Sequence, residues 1–301
     1  MKLRAVFIFA LLFLCTPAPC ADARTSARRV RLAVLDFGET DNARRLSDQF
    51  SKMLSADAEL LMVDRDEARA AARGIGYSGS LNMTLAEARD LGAAIGCDFY
   101  LTGDAQSLRR SPSDAPVYYE AYASVFLVSA RTGRLRLWER QSFRAETMEA
   151  AWRLLLASFE SRETLKLYTD ALRRAEEDER RAREMALVWN APLIEEVPEE
   201  GSAAAASLRV PQPFRRLRPV YTEAAARAEV EATVDLLVDI DAAGEVARVE
   251  VVRWAGFGLD EASVDAVRRM HFRPAMRQGL AIPLRVLLRY NFRKPPKEEK
   301  R

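Results

Sequence analysis

The chain has 301 residues, of which 49% are hydrophobic and 30% charged, and its 46 basic side chains nearly balance its 44 acidic ones. This balance gives no general attraction to nucleic acid, whose phosphates favour a cationic surface. With three cysteines and a single histidine, the sequence offers little material for a disulfide framework or a metal site.

The first 23 residues have the pattern of a secretory signal peptide. Lys2 and Arg4 precede an apolar run from Ala5 to Cys15, and Ala21-Asp22-Ala23 forms a small-x-small cleavage site. The run is shorter than the roughly 20 apolar residues that span a bilayer. We therefore expect an exported, soluble chain that begins near Arg24, and its 278 residues suggest about two domains.

The predicted cleavage site divides the cysteines. Cys15 and Cys20 lie in the segment to be removed, where the preceding Phe13-Leu14 and Pro19 disfavour lipid attachment without excluding it. Cys97 is then the one thiol of the mature chain, so no intramolecular disulfide can form. We expect this thiol to be a small buried hydrophobe.

The pattern from Arg29 onward alternates strands with helices. Val30, Leu32 and Val34 alternate as in a strand. Thr84-Leu85-Ala86-Glu87 is a capping box that predicts a helix to about Ile95, with Gly96 as its stop. The segments 118–128 and 135–143 alternate well and predict a hairpin.

A strongly charged segment follows this region. Glu176 with Arg180, and Glu177 with Arg181, stand at i,i+4 spacing, which is typical of a solvent-bridging helix. The prolines, glycine and alanine run between residues 191 and 208 predict a flexible spacer after it.

The last part of the sequence predicts a ββαβ unit. The residues from Val234 to Ile240 alternate as a half-buried strand, a turn follows at Asp241–Gly244, and a partner strand runs to Val252. We expect Asp260 to cap a short helix. A long alternating strand, Leu284 to Phe292, closes the unit.

Several ordered pieces of this unit resemble the C-terminal domain of TonB-type energy transducers. They occur in sequence order over about residues 210–292: Pro219-Val220-Tyr221, the strand and turn from Val234 to Gly244, Gly258-Leu259-Asp260, Phe272-Arg273-Pro274-Ala275 with Gly279, and the closing strand. The resemblance implies that the domain binds a short segment of an outer-membrane receptor by adding it as a strand to an open sheet edge, where main-chain hydrogen bonds supply affinity.

We assign the accepting edge to the last strand, Leu284–Phe292. The residues expected to contact the peptide are Tyr221, Arg285, Val286, Leu288, Arg289 and Tyr290. An alternative reading is that Arg285 and Arg289 only form the wet face of an antiparallel sheet.

The sequence also departs from that family. A working transducer keeps an uncleaved membrane anchor, whereas this N-terminus looks cleavable, and the family's tyrosine-proline pair appears as Tyr221-Thr222. The leading hypothesis is therefore a periplasmic adaptor that supports transmembrane transport. The alternative is a membrane-anchored energy transducer whose N-terminal segment stays uncleaved.

The N-terminal half resembles the periplasmic α/β domain of the curli-secretion protein CsgG, which is similar to a domain of TolB. The matching pieces are 32–37, 62–65, 93–103 and the hairpin turn at 129–133. The resemblance implies the soluble scaffold and not the pore, because the chain has no room for the barrel strands.

No catalytic cluster is evident, so we predict that the protein is not an enzyme and binds no cofactor or metal. His271 has no second histidine or mature cysteine near it in sequence, and 74–79 matches G-x-G-x-x-G without a preceding strand. Four carboxylates near strand ends fit capping and turn roles better than a hydrolase site, which stays a third hypothesis: Asp36, Asp64, Asp66 and Asp98.

Together these patterns predict an α+β protein. Its parts are a signal peptide (1–23), a CsgG- or TolB-like α/β sandwich domain (24–160), a charged helix and flexible linker (161–209), a TonB-like ββαβ domain (210–294) and a disordered tail (295–301). The expected partner is an outer-membrane protein or receptor peptide, with neither nucleic acid nor a small-molecule substrate. Homodimer formation and attachment to a membrane are left open, and the expected location is the periplasm.

Overall fold

The computed structural model of the protein describes residues 29–113, 116–188, 194–199 and 201–294. The predicted signal peptide and C-terminal tail lie outside these ranges. Within them, no helix combines the length and apolar character needed to cross a bilayer. The chain contains both helices and strands, which confirms the α+β class.

The N-terminal part forms an α/β sandwich around a five-stranded sheet of order β2-β1-β3-β4-β5. Its first three strands in this order pair in parallel, and the β3–β4 and β4–β5 pairs are antiparallel. The elements are β1 (Val30–Val34), α1 (Asp41–Leu54), β2 (Leu60–Met62), α2 (Arg65–Gly74), α3 (Leu85–Ile95), β3 (Phe99–Arg110), β4 (Tyr118–Ser129), β5 (Leu135–Ala145), α4 (Met148–Ser158) and α5 (Arg162–Val188).

The first half of α5 belongs to the core of this domain. Tyr168, Leu172 and Ala175 are buried in one apolar cluster with helices α1 and α4, and the Tyr168 ring lies 5.2 Å from the Phe50 ring. These side chains form an apolar stripe at helical spacing that covers the sheet. The charged stretch from Glu176 onward, for which the sequence predicts a solvent-bridging helix, follows this stripe and is mostly exposed.

The C-terminal part contains the predicted ββαβ order as β9, β10, α8 and β14. These strands form a sheet of order β10-β9-β14-β6, in which β6 pairs in parallel and the other pairs are antiparallel. The elements are β6 (Glu195–Glu196), α6 (Ala203–Ala206), β7 (Leu208–Arg209), β8 (Gln212–Pro213), α7 (Glu223–Ala228), β9 (Ala232–Ile240), β10 (Val246–Arg253), α8 (Leu259–Arg268), β11 (Phe272–Arg273), β12 (Ala275–Arg277), β13 (Leu280–Ile282) and β14 (Leu284–Phe292).

The described part of the predicted flexible spacer is held against the C-terminal domain. Strand β6 pairs with β14 and β7 pairs with β12, while β8, just beyond the predicted spacer, pairs with β11. The prediction of a free spacer is therefore wrong for these residues. Two-residue strands have no periodicity that a sequence pattern could reveal.

Asp260 does not cap helix α8. Gly258, in a left-handed conformation with φ of 75°, occupies the N-cap position, and Asp260 lies in the first turn. Its two carboxylate oxygens accept hydrogen bonds from the backbone N–H groups of Ala255 and Gly256, each at 2.8 Å. Asp260 therefore closes the loop between β10 and α8, and burial raises its pKa to about 7.

This loop inserts into the N-terminal domain. The Trp254 ring stacks on Phe126 at 5.9 Å, and its Nε1 donates to the carbonyl oxygen of Gly133 at 3.0 Å. Gly256 lies so close to Phe126 that a Cβ there would fall 2.6 Å from the ring. Because residues of both domains contribute to one apolar cluster, the two domains are packed together rather than joined only by a spacer.

Asn82 adds a polar connection between the domains. Its side-chain N–H₂ donates to the carbonyl oxygens of Thr233 and Trp254 at 2.8 and 2.7 Å, and its oxygen accepts from the Thr233 N–H at 3.0 Å. The neighbouring Thr84 forms a backbone bridge with Arg253 at the end of β10. The buried polar groups of the interface are thereby hydrogen-bonded.

We expect Trp254→Ala to lower the free energy of unfolding by about 3–5 kcal/mol, because it removes a buried aromatic side chain and leaves a cavity between the domains. Urea denaturation followed by circular dichroism measures this change. Leu280→Ala is the matched control, since Leu280 is 70% exposed and its truncation should change stability by less than about 0.5 kcal/mol. Equal effects of the two substitutions would contradict a shared interdomain core.

The Asp260 pKa predicts a pH dependence of stability. In the unfolded chain an aspartate titrates near a pKa of about 3.9, whereas in the folded chain burial raises the value to about 7. Between these values the folded state holds a proton that the unfolded state has lost, so this group makes stability fall as pH rises. The difference in unfolding free energy between Asp260→Asn and wild type should therefore shift in favour of the variant from pH 4 to pH 7. The shift should be about 1.4 kcal/mol for each unit by which burial raises the pKa of Asp260. Denaturation at both pH values tests this, and the absence of a relative gain would show that Asp260 is already ionised in the folded chain at pH 4.

Candidate functional site at the outer edge of the C-terminal sheet

Strand β14 presents two different faces. Tyr290 and Phe292 are buried, and Val286 and Leu288 pack against the same core. The intervening side chains lie on the opposite face of the sheet, since successive residues of a strand alternate, and Leu287 among them is 52% exposed. Tyr290 is therefore a core residue of the domain, and Val286 and Leu288 are partly buried on the same face.

Arg285 and Arg289 are bound by aspartates of the neighbouring strand. Arg285 contacts Asp239 through two hydrogen bonds of 2.6 and 2.9 Å, and Arg289 contacts Asp235 through two of 2.7 and 2.9 Å. Both aspartate side chains are 5% exposed, whereas those of Arg285 and Arg289 are 25% and 55% exposed. Both predicted contact residues thus make bidentate ion pairs within the sheet, and Arg289 is the more accessible.

Asp235 is the centre of this charged face. It also accepts a hydrogen bond from Arg253 of β10 at 3.3 Å. Burial alone would raise the pKa of Asp235, but the hydrogen bond from Arg289 and the charges of Arg289 and Arg253 together lower it. The aspartate is therefore held ionised, as the compensation of a buried charge requires.

The first residues of β14 are covered on their outer edge by another strand of the same chain. Leu284 and Arg285 pair with Glu195 and Glu196 of β6, and Arg277 holds Glu195 through hydrogen bonds of 2.8 and 2.6 Å. The prediction that this edge is fully open is therefore wrong at these positions. The covering strand could not be predicted, because Glu195 and Glu196 lie within a proline-containing spacer that has no regular hydrophobic pattern.

The far end of the edge is touched by the segment before α7. The guanidinium group of Arg216 donates to the carbonyl oxygen of Arg289 at 3.4 Å and lies 5.9 Å from the Tyr290 ring centre. The Tyr290 hydroxyl donates to the carbonyl oxygen of Leu217, also at 3.4 Å. Between the β6 pairing at Leu284 and Arg285 and the Arg216 contact at Arg289, residues 286–288 have no strand partner on their outer side in the described part of the chain.

Tyr221 lies at the end of β14 in a structural role. Its hydroxyl donates to the carbonyl oxygen of Val230 at 2.7 Å, and its ring lies 6.3 Å from that of Phe292. The following Thr222 caps helix α7 and donates to the Phe257 carbonyl oxygen at 2.5 Å. The threonine that replaces the family's proline therefore connects α7 to the interdomain loop.

The four aspartates near strand ends take part in capping and ion pairs. Asp36 is bound by Arg65 and Arg69, and although burial opposes it, these contacts lower its pKa. Asp64 caps helix α2, and Asp66 pairs with Arg69. Asp98 accepts from the backbone N–H of Arg31 at 2.9 Å.

The other candidate reactive groups are also accounted for. His271 is exposed, and its Nδ1 lies 3.0 Å from both carboxylate oxygens of Glu245. The Cys97 thiol is partly buried, which raises its pKa to about 12. The glycine-rich segment 74–79 forms the end of α2 and the loop after it, with no preceding strand to form a phosphate site.

The comparisons with known proteins agree with the C-terminal fold. Residues 218–293 match the family described as Gram-negative bacterial TonB protein C-terminal, so this domain is TonB-like. No curated protein matches the chain significantly.

Several solved structures are similar to parts of the chain. The TonB C-terminal domain of Pseudomonas aeruginosa is 20% identical over 36% of this chain and 97% of that chain, with a TM-score of 0.25. The C-terminal domain of LpoB from Salmonella enterica is 16% identical over 38% and 82%, with a TM-score of 0.27. The hypothetical protein CT253 from Chlamydia trachomatis is 12% identical over 49% and 96%, with a TM-score of 0.30. The resemblance of the N-terminal domain to CsgG and TolB stays a prediction.

Arg277→Ala should release β6 from the edge of β14, because it removes both hydrogen bonds that hold Glu195. We expect faster amide hydrogen exchange in peptides that contain residues 284–286, since local opening sets the exchange rate of paired amides. Arg248→Ala is the control, because Arg248 also makes an exposed ion pair, with Glu250, but on β10. Unchanged exchange at 284–286 in the Arg277 variant would show that the ion pair does not hold β6.

Proposed function

We propose that the chain is a periplasmic adaptor of the cell envelope whose TonB-like domain binds an extended segment of an outer-membrane protein by strand addition to β14. One observation carries this proposal: the outer edge of β14 already pairs with a short parallel strand, β6, contributed by the chain itself. This edge therefore has backbone groups placed to accept a strand. The same edge continues beyond β6 without a strand partner over residues 286–288.

A partner segment has an energetic advantage over β6. Strand β6 contains two exposed residues, whereas β14 pairs with β9 along all nine of its residues. A longer incoming strand can form ladder hydrogen bonds along more of the β14 edge than β6 does, and these main-chain bonds supply the affinity in strand addition. The partner would replace β6 at Leu284 and Arg285.

The exposed face of β14 suggests the chemistry of the partner. Leu287 and Arg289 are neighbours on that face, two residues apart, and both are about half exposed. Side chains of an added strand would lie beside them at the same two-residue spacing. We infer a preference for an apolar residue and an acidic residue separated by one position.

The remaining parts of the chain are assigned by the same proposal. Residues 1–23 direct export to the periplasm, and the α/β domain docks to a second envelope component. The rigid packing through Trp254 would hold both binding regions in one unit. Homodimer formation is left to measurement, and no catalytic step is assigned to any residue.

Site-specific photo-crosslinking in cells tests the proposal. A photoreactive phenylalanine at Leu287 should crosslink to a segment of an outer-membrane protein, which mass spectrometry can identify. Leu61 is the matched control, because it is an exposed leucine, 42% accessible, on edge strand β2 of the other sheet. Crosslinking to the same proteins from both positions, or to no outer-membrane protein from Leu287, would contradict the proposal.

The captured segment then allows a direct binding experiment. As a synthetic peptide it should bind the full chain, and Arg277→Ala should increase its affinity because the competing strand β6 is released. Arg248→Ala should leave the affinity unchanged. Unchanged affinity of the Arg277 variant would mean that the peptide does not compete with β6, and weaker binding would mean that the peptide contacts the Arg277 side chain.

A further inference from the structure

A cavity of about 350 Å³ opens between the two domains, away from the edge of β14. One wall is the face of the N-terminal sheet that carries Asp104, Tyr122 and Arg140, from three adjacent strands. The other wall comes from the C-terminal domain and includes Val230 and Phe257. Cavities that bind small ligands often lie at domain interfaces and have volumes of about 300–1,000 Å³.

Arg140 makes no ion pair with a carboxylate in the described part of the chain. Its Nη1 donates to the Ser124 hydroxyl at 3.2 Å, and its guanidinium carbon lies 3.8 Å from the centre of the Tyr122 ring. The side chain is partly buried, and the loss of hydration lowers its pKa, although the charges of Glu120 and Asp104 act to raise it. A buried guanidinium group needs hydrogen-bond acceptors for its N–H donors as well as an opposite charge nearby.

The two carboxylates whose charges act on Arg140, Asp104 and Glu120, are hydrogen-bonded by other donors. Asp104 accepts hydrogen bonds from the Gln106 amide at 2.8 Å and from the Tyr122 hydroxyl at 3.1 Å. Glu120 pairs with Arg110 at 3.1 Å. Arg140 is thus left with N–H donors that no carboxylate of the described chain satisfies directly.

We propose that this cavity binds the carboxylate of an N-acylated amino acid, either as a free molecule or as the C-terminal residue of a peptide. Arg140 would hold the carboxylate, since a guanidinium group matches its two oxygens. The apolar side chain of the ligand would contact Val230, Phe257 and Leu81, which line the same cavity.

The acidic groups of the cavity restrict the ligand further. Asp104 and Glu231 both line it, so a ligand with several negative charges would be repelled. Asp104 retains lone pairs beyond the two hydrogen bonds that it accepts, because a carboxylate offers about four acceptor positions. It can therefore accept a hydrogen bond from the N–H group of the acylated amino acid. A ligand that has one carboxylate and an adjacent N–H donor thus suits this site.

Isothermal titration calorimetry of the full chain tests the proposal with N-acetyl-leucine and N-acetyl-leucine amide. The acid should bind and the amide should bind at least about tenfold more weakly, because the amide lacks the charge that Arg140 recognises. Acetyl-Gly-Gly-Leu distinguishes the two sources. Binding as tight as that of N-acetyl-leucine indicates a peptide C-terminus, and clearly weaker binding indicates a free amino-acid derivative.

Substitution of Arg140 tests which residue binds the carboxylate. Arg140→Gln should weaken binding of the acid at least about tenfold, and Arg140→Lys should have a smaller effect. Arg144→Gln is the matched control, because Arg144 lies on the same face of β5, 5.1 Å from the Tyr118 ring centre, outside the cavity lining. It should leave affinity unchanged within about twofold.

Three results would overturn the proposal: no binding of either acid, equal binding of acid and amide, or equal losses in the Arg140→Gln and Arg144→Gln variants. Thermal unfolding checks that each variant is folded. If Arg140→Gln fails to fold, the comparison of acid with amide on the wild-type chain decides.

Discussion

The insertion of Trp254 between the two domains is the interaction on which the rest of the structure depends. It stacks on Phe126, donates to the Gly133 carbonyl oxygen, and is carried by a loop that Asp260 closes through two backbone hydrogen bonds. This packing occupies the end of β10, where Arg253 bridges to Thr84. On the other side of the sheet, in the described part of the chain, β14 is bordered only by the two-residue strand β6, and the cavity beside Arg140 has walls from both domains.

The sequence predicted the elements whose side chains repeat with a regular period or carry a local cap. The capping box at Thr84 and the left-handed Gly96 begin and end α3 as expected, and the hairpin of β4 and β5 lies within about two residues of the predicted bounds. Asp260 was assigned wrongly because an aspartate at a helix start fits a cap, while its real partners are two N–H groups of a buried loop. Interdomain packing leaves no period in the sequence, so the role of Trp254 could not be predicted.

The candidate site shows a similar limit. The alternation along β14 correctly predicts which side chains face the core and which lie on the outer face. It does not predict which residues bind Arg285 and Arg289. The structure pairs them with Asp239 and Asp235, which are almost fully buried although they occupy the polar positions of β9. The arginines cover these carboxylates and neutralise their charge. A peptide that contacted Arg289 would have to use donors that Asp235 leaves free.

The presence of β6 on the β14 edge has a consequence for affinity and selectivity. In the proposed strand addition, a strand contributed by the same chain would compete with the partner at a high effective concentration, and the apparent affinity of the partner would be reduced to the fraction of molecules whose edge is open. A segment of two or three residues gains too few ladder hydrogen bonds to overcome this competition, whereas a longer one pairs beyond Arg285, where β6 does not reach. Under the proposed strand addition, the short covering strand would limit unspecific pairing of an exposed sheet edge, which is a hazard of such edges, and would favour partners that extend along residues 286–292.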